Sequence, residues 1–128
     1  MNPLSFALIG VGAALGAWLR WLLGAWLNPV FALVPLGTLA ANIVGGFLMG
    51  IAMGMMAEAA GWSQELRLFA TTGFLGGLTT FSTFSGEAAS LIGRDEYGWG
   101  AVLIAAHVVG SIAATLAGIA LVKFFVRG

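Results

Sequence analysis

Phe81 and Phe84 lie three positions apart, inside a run that also holds Thr79, Thr80, Ser82, Thr83 and Ser85. On a helix that spacing places both rings on one face. An aromatic ring is negative over its face and positive at its edge. Two rings presented edge-on therefore stabilise a small anion without a full charge that would trap it. Simple close contact is the commoner use of such a pair, and spacing alone leaves both readings open. Ser111 and Thr115, four apart, add hydroxyls on one face of a later segment. A hydroxyl solvates an anion through O–H and a cation through its oxygen, so these residues do not select the sign of an ion. They form either a polar track or hydrogen bonds between helices.

Other polar groups stand singly in apolar surroundings. Asn42 brings two N–H donors and is costly to bury without partners; it donates to an anion or bonds a neighbouring helix. Arg20 is the lone charge of its segment. It either snorkels to an interface or lines a water-filled vestibule that draws in anions. Glu87 follows the hydroxyl run, where it pairs with Arg20 or handles protons. His107 suits a hydrogen-bonded structural role as well as a functional one. No nucleophile with base and orienting group, no metal cluster and no phosphate loop is present, and the chain does not read as an enzyme.

The elements that carry these residues follow from composition. Of 128 residues 60% are apolar and 8% charged, with no cysteine and no net charge. A soluble domain of this length leaves too much surface in water for that. The neutral balance gives no reason to expect nucleic acid as a partner, and without cysteine there is neither a disulfide nor a thiolate metal site. Met1–Leu19, Trp21–Ala57, Leu68–Gly86 and Tyr97–Val122 carry no charged side chain. A bilayer core about 30 Å thick takes about 20 apolar residues as helix, so the chain is expected to be an all-α integral membrane protein of one domain. Its four transmembrane helices are expected at about 4–27, 35–60, 65–92 and 97–126. Asn28-Pro29 ends the first, Pro35 suits the start of the second, Gly61 closes it, and Ser63 caps the third.

The third helix is the unusual one. Gly76-Gly77-Leu78-Thr79-Thr80 sits at membrane depth and predicts a break. Irregular backbone there must be buried in protein or line a cavity. Carbonyls released by a break, with no carboxylate nearby, suit a hard monovalent cation. The competing expectation is an intact helix whose threonines bond back to it. Small residues recur at intervals of four: Gly12 and Gly16; Gly46, Gly50 and Gly54; Gly110, Ala114 and Gly118. Such stripes let helices approach closely in lipid; packing within one subunit explains any single stripe, while three together suggest more close contact than one small bundle needs. With a cytoplasmic N-terminus, Arg67, Lys123 and Arg127 fall on one side against Arg94 and Arg20 on the other. That bias is feeble. Charge leaves a single orientation and insertion both ways up equally open, the latter giving an antiparallel dimer.

Gly76-Gly77-Leu78-Thr79-Thr80-Phe81-Ser82-Thr83-Phe84-Ser85, with Gly37-Thr38-Leu39-Ala40-Ala41-Asn42 before it and Gly110-Ser111 after it, closely resembles the Fluc/CrcB family of microbial fluoride channels. The similarity runs over all four expected spans. It implies a dual-topology antiparallel homodimer in the plasma membrane whose two pores export fluoride passively. By that likeness Phe81 and Phe84 are the pore-lining rings, Asn42 a fluoride donor near them, and Ser82, Thr83, Ser111 and Thr115 the polar track. Arg20 matches the basic residue of the vestibule. The carbonyls of Gly76 and Thr79, from both copies, match the ligands of a central structural sodium ion. His107 stands where other members have a smaller polar residue. The rival reading is a small multidrug-resistance transporter exchanging protons for organic cations. It needs a membrane-embedded carboxylate, for which Glu87 is the sole candidate. A membrane scaffold would explain the glycine stripes but not the break with its hydroxyls.

Overall fold

The computed structural model describes residues 2–58 and 61–128, and those residues form helices and connecting turns with no strand. α1 (Pro3–Leu27) begins on a proline whose missing N–H has no partner to lose in a first turn. Asn2 caps it, its Oδ1 accepting from the Leu4 amide at 2.9 Å. Pro29 lies in a 3₁₀ turn, Asn28–Val30, that closes it. α2 (Leu36–Glu58) has its first amides held by the side chain of Asn28, whose Oδ1 accepts from Gly37 at 2.8 Å and Thr38 at 3.1 Å. The sequence carries this helix to about residue 60; residues 59 and 60 lie outside those described. Gly61 takes a φ of 126°, a conformation side chains resist.

Ser63 caps α3 (Gln64–Arg67), accepting from the Leu66 amide at 3.1 Å, with Glu65 in the positive first turn. The backbone then widens into a π-helix over Leu68–Leu75. It returns to α form for α4 (Gly76–Leu78), leaves the helix at Thr79 and Thr80, and resumes as α5 (Phe81–Gly93). A tight turn with Asp95 at φ 60° leads into α6 (Tyr97–Arg127).

Pro3–Val30, Leu36–Glu58 and Tyr97–Arg127 are each long and apolar enough to cross a membrane. Phe6, Trp18, Trp21, Val109 and Phe125 lie exposed, a surface that lipid tolerates and water does not. The chain is an integral membrane protein. Asn2 donates to Glu65 at 3.0 Å and Arg127 pairs with Glu58 at 2.7 Å, so the start of α1, the end of α2, the start of α3 and the end of α6 share one end of the bundle. At the other end, Phe31 and Trp99 meet edge to face at 5.2 Å.

The glycine stripes make close contacts inside this one chain, as packing within a single subunit predicts. A Cβ at Gly16 of α1 would strike the backbone of Phe74 and Leu78. A Cβ at Gly50 of α2 would strike the Thr115 carbonyl of α6, and Gly118 meets the backbone of α2 in return. Two tight seams result, α1 against residues 69–78 and α2 against α6. Two apolar clusters flank the interruption at Thr79–Thr80. Ala41, Leu75 and Leu78 lie before it, and Val34, Phe84, Ala88, Leu91 and Leu103 after it.

Candidate functional site

The interruption has a cause far away in sequence. Asn42 of α2 docks on the Thr80 peptide at two points: its Oδ1 accepts from the Thr80 N–H at 2.7 Å, and its Nδ2 donates to the Thr80 carbonyl at 3.0 Å. Thr79 (φ −87°, ψ 155°) and Thr80 (φ −150°, ψ 118°) are extended as a result. The hydroxyls complete the join. Thr79 Oγ1 donates to the Leu75 carbonyl at 2.8 Å, and Thr80 Oγ1 accepts from the Thr83 amide at 3.1 Å, making Thr80 the N-cap of α5. The break is narrower than the glycines suggest. Gly76 and Gly77 remain helical, and Gly77 serves instead for close approach to Ala13 of α1.

The carbonyls of Gly76 and Thr79 are among those that lose their helical partners through this arrangement. In an unbroken helix the Thr80 amide would bond Gly76 C=O and the Thr83 amide would bond Thr79 C=O. The first donates to Asn42 and the second to the Thr80 hydroxyl. Gly77 C=O is satisfied differently, by Arg20 Nε at 3.1 Å.

Two cavities meet at Thr80. One, of about 420 Å³, is walled by Asn42, Phe81, Phe84, His107, Ser111 and Thr115, together with Gly76 and Thr79. The other, of about 440 Å³, is walled by Arg20, Trp21, Asn28, Thr38, Thr80 and Thr83. Phe81 and Phe84 meet edge to face, 5.5 Å between centroids at 73°, the arrangement ring quadrupoles favour. Their exposures differ: Phe84 is 7% exposed and Phe81 77%, so this chain leaves the Phe81 ring uncovered. Phe84 also lies over the imidazole of His107, at 4.6 Å and 30°.

Several polar groups are already committed. Both N–H groups of Asn42 are used, one on Thr80 C=O and one toward His107 Nδ1 at 3.0 Å. Thr115 Oγ1 lies 2.9 Å from the carbonyls of both Gly46 and Ser111 and shares its one hydrogen between them, so it reaches across to α2 as its spacing allowed. Ser82 Oγ lies 3.3 Å from Thr80 Oγ1, and Thr83 sits exposed at the second cavity. Arg20 and Glu87 do not pair. Glu87 Oε2 accepts from Thr38 Oγ1 at 2.6 Å, while Oε1 is buried without a partner among the described residues. Sequence reasoning gave Thr38 and Asn28 no hydrogen-bonding role. Thr38 could have been found as the residue one turn before Asn42 on the same face; Asn28 acts across a turn and leaves no such signal.

A helix break of this kind in a membrane protein, beside cavities lined by amide, hydroxyl and aromatic groups, is the construction of a transport protein. Residues 7–119 match the family model described as CrcB-like protein, Camphor Resistance (CrcB), and the chain belongs to that family. Over 127 residues it is 51% identical to a protein of Nitrosospira multiformis, covering 99% of both chains. It is 55% identical over 111 residues to one of Aromatoleum aromaticum, 87% of this chain and 85% of that one. With one of Thiobacillus denitrificans it shares 50% over 120 residues, 94% and 97% of the two chains. Each of these relatives bears the name fluoride-specific ion channel FluC.

Proposed function

We propose that this protein is a fluoride channel of the plasma membrane, built from two antiparallel copies of a chain that crosses the bilayer four times. It is a channel and not an enzyme, and fluoride leaves the cell through it passively, by two parallel pathways in the dual-topology homodimer. The observation that carries the reading is the interrupted path from α3 to α5. The chain elsewhere closes tightly on itself, yet here it leaves an aromatic ring, two carbonyls and several donors at open cavities. The names borne by relatives half identical over nearly the whole chain supply the ion.

In this reading Arg20 draws anions into the vestibule, and Thr83 and Ser82 pass them along the start of α5. The edges of Phe81 and Phe84, with Ser111 beyond, take the place of water around the ion. Asn42 and Thr115 form part of the same wall, held by bonds within the protein. Weak sites in series let the ion leave as readily as it enters. The second copy covers the exposed ring of Phe81. The carbonyls of Gly76 and Thr79, deprived of helical donors, would hold a structural sodium ion, two oxygens coming from each copy. Such an all-oxygen set without carboxylates fits a hard monovalent cation. When bound, the ion supplies a fixed positive charge that ties the two breaks together.

Purified protein in liposomes loaded with potassium fluoride tests the reading. With a potassium ionophore balancing charge and no pH gradient, fluoride should appear at an electrode while chloride in matched vesicles stays inside. Proton-driven exchange of organic cations without fluoride release would replace this reading by the multidrug one, and inertness toward both would favour a scaffold.

A further inference from the structure

A count of hydrogen-bond donors around the cavity beside Phe84 leaves His107 and Ser111 uncommitted. Asn42 Oδ1 accepts from the Thr80 amide at 2.7 Å, which fixes the orientation of its side-chain amide. Its two N–H groups then go to Thr80 C=O and His107 Nδ1. Thr115, Thr79 and Thr71, which also line the cavity, spend their hydroxyl hydrogens on the carbonyls of Gly46 and Ser111, Leu75 and Arg67. Since Nδ1 of His107 receives an N–H, it is bare. A hydrogen there would face another donor, which excludes the imidazolium as well, and the proton of the neutral ring sits on Nε2. His107 is 3% exposed, and Nε2 has no partner among the described residues. It stands one turn from Ser111 on the cavity face of α6, its ring stacked on Phe84.

We propose that His107, through Nε2–H, is a direct donor to the dehydrated anion beside Phe84, and that Asn42 is a positioning residue which holds that imidazole in its donating tautomer. The proposal rests on the fluoride reading above. It moves the buried N–H donor from the second helix to α6. A donor with no lone pair to offer selects for an anion, and the neighbouring Ser111 hydroxyl supplies a second bond from the same face.

His107 is the one histidine of the chain, so ¹⁵N-histidine labelling of the full protein in nanodiscs yields a single imidazole spectrum. Nε2 should be the protonated nitrogen, and its resonance should shift when sodium fluoride, and not sodium chloride, is added. His107→Gln keeps an N–H near the place of Nε2, whereas His107→Asn keeps a polar group near the place of Nδ1 only. Fluoride efflux from liposomes should persist in the glutamine variant and fall about tenfold or more in the asparagine variant. Protonation at Nδ1, or an Nε2 resonance indifferent to fluoride, would overturn the assignment. So would normal flux in His107→Asn, which would leave His107 merely an anchor for Asn42. Should the wild-type protein conduct no fluoride, the channel reading falls by itself, and the titration still decides whether Nε2 binds the anion. The titration also decides if both variants fail to fold.

Discussion

The two glycine seams and the interrupted helix are built from similar residues and end in opposite conditions. In the seams, at Gly16 and Gly50, small residues let one backbone lie directly on another, and each contact is made within the chain. At Thr79–Thr80 small and hydroxylated residues release backbone groups instead, and one chain finishes only part of the job. Asn42, Arg20 and the threonine hydroxyls satisfy some groups. The Gly76 and Thr79 carbonyls, the His107 Nε2 and the Phe81 ring are left over. Close contact in lipid gives stability; incompletely matched polar groups at a cavity give a place for an ion. Position against the neighbouring helix, more than residue type, decides which of the two a glycine-rich stretch becomes.

The largest effect should come from filling a seam. Gly50→Leu forces α2 and α6 apart at the Thr115 carbonyl and is expected to cost about 3 kcal/mol or more. The measurement is monodispersity and thermal stability in detergent, and both should be lost. Asn42→Ala should come next, because it strips partners from the Thr80 peptide and from His107 Nδ1. Unmade buried bonds cost about 1–3 kcal/mol each, so the melting temperature should drop and flux should fall with it; a stable, fully active variant would mean that Asn42 does not set the break. Phe81→Ile separates the two regions most cleanly. Its ring is exposed on the single chain, so folding and assembly should survive while fluoride flux falls roughly tenfold or more. Unchanged flux would remove that ring from the pathway. Arg127→Gln should do least. It breaks a pair whose arginine is 66% exposed, worth about 1 kcal/mol at most, and efflux should match the wild type.

What the sequence made legible was local. Asn28-Pro29, Ser63 with Glu65, and three of the four long uncharged runs follow nearest-neighbour rules, and the structure has a 3₁₀ turn, an N-cap and long apolar helices at those places. The break was legible within residues 76–80, but not which of those residues leave the helix. Gly76 and Gly77 carry the local tendency to unwind, yet Thr79 and Thr80 leave the helix, because Asn42 claims the Thr80 peptide from another helix. The spacing within residues 76–80 holds no trace of that contact. The stripes were visible too, but a stripe does not name the helix it faces. In the same way, Asn42 could be recognised as a buried amide needing partners, while the spending of its donors on Thr80 and His107 belongs to the assembled bundle.

The account depends on a second, inverted copy completing what one chain leaves open at the break, and topology in the native membrane tests that most directly. The chain has no cysteine. Gly98, exposed in the first turn of α6, has nothing near it that a side chain would strike. Gly98→Cys can therefore be probed in spheroplasts with a maleimide that does not cross membranes. Two orientations require about half of the molecules to react from outside, and the remainder only after permeabilisation. Labelling of all copies from one side alone would contradict the antiparallel pair.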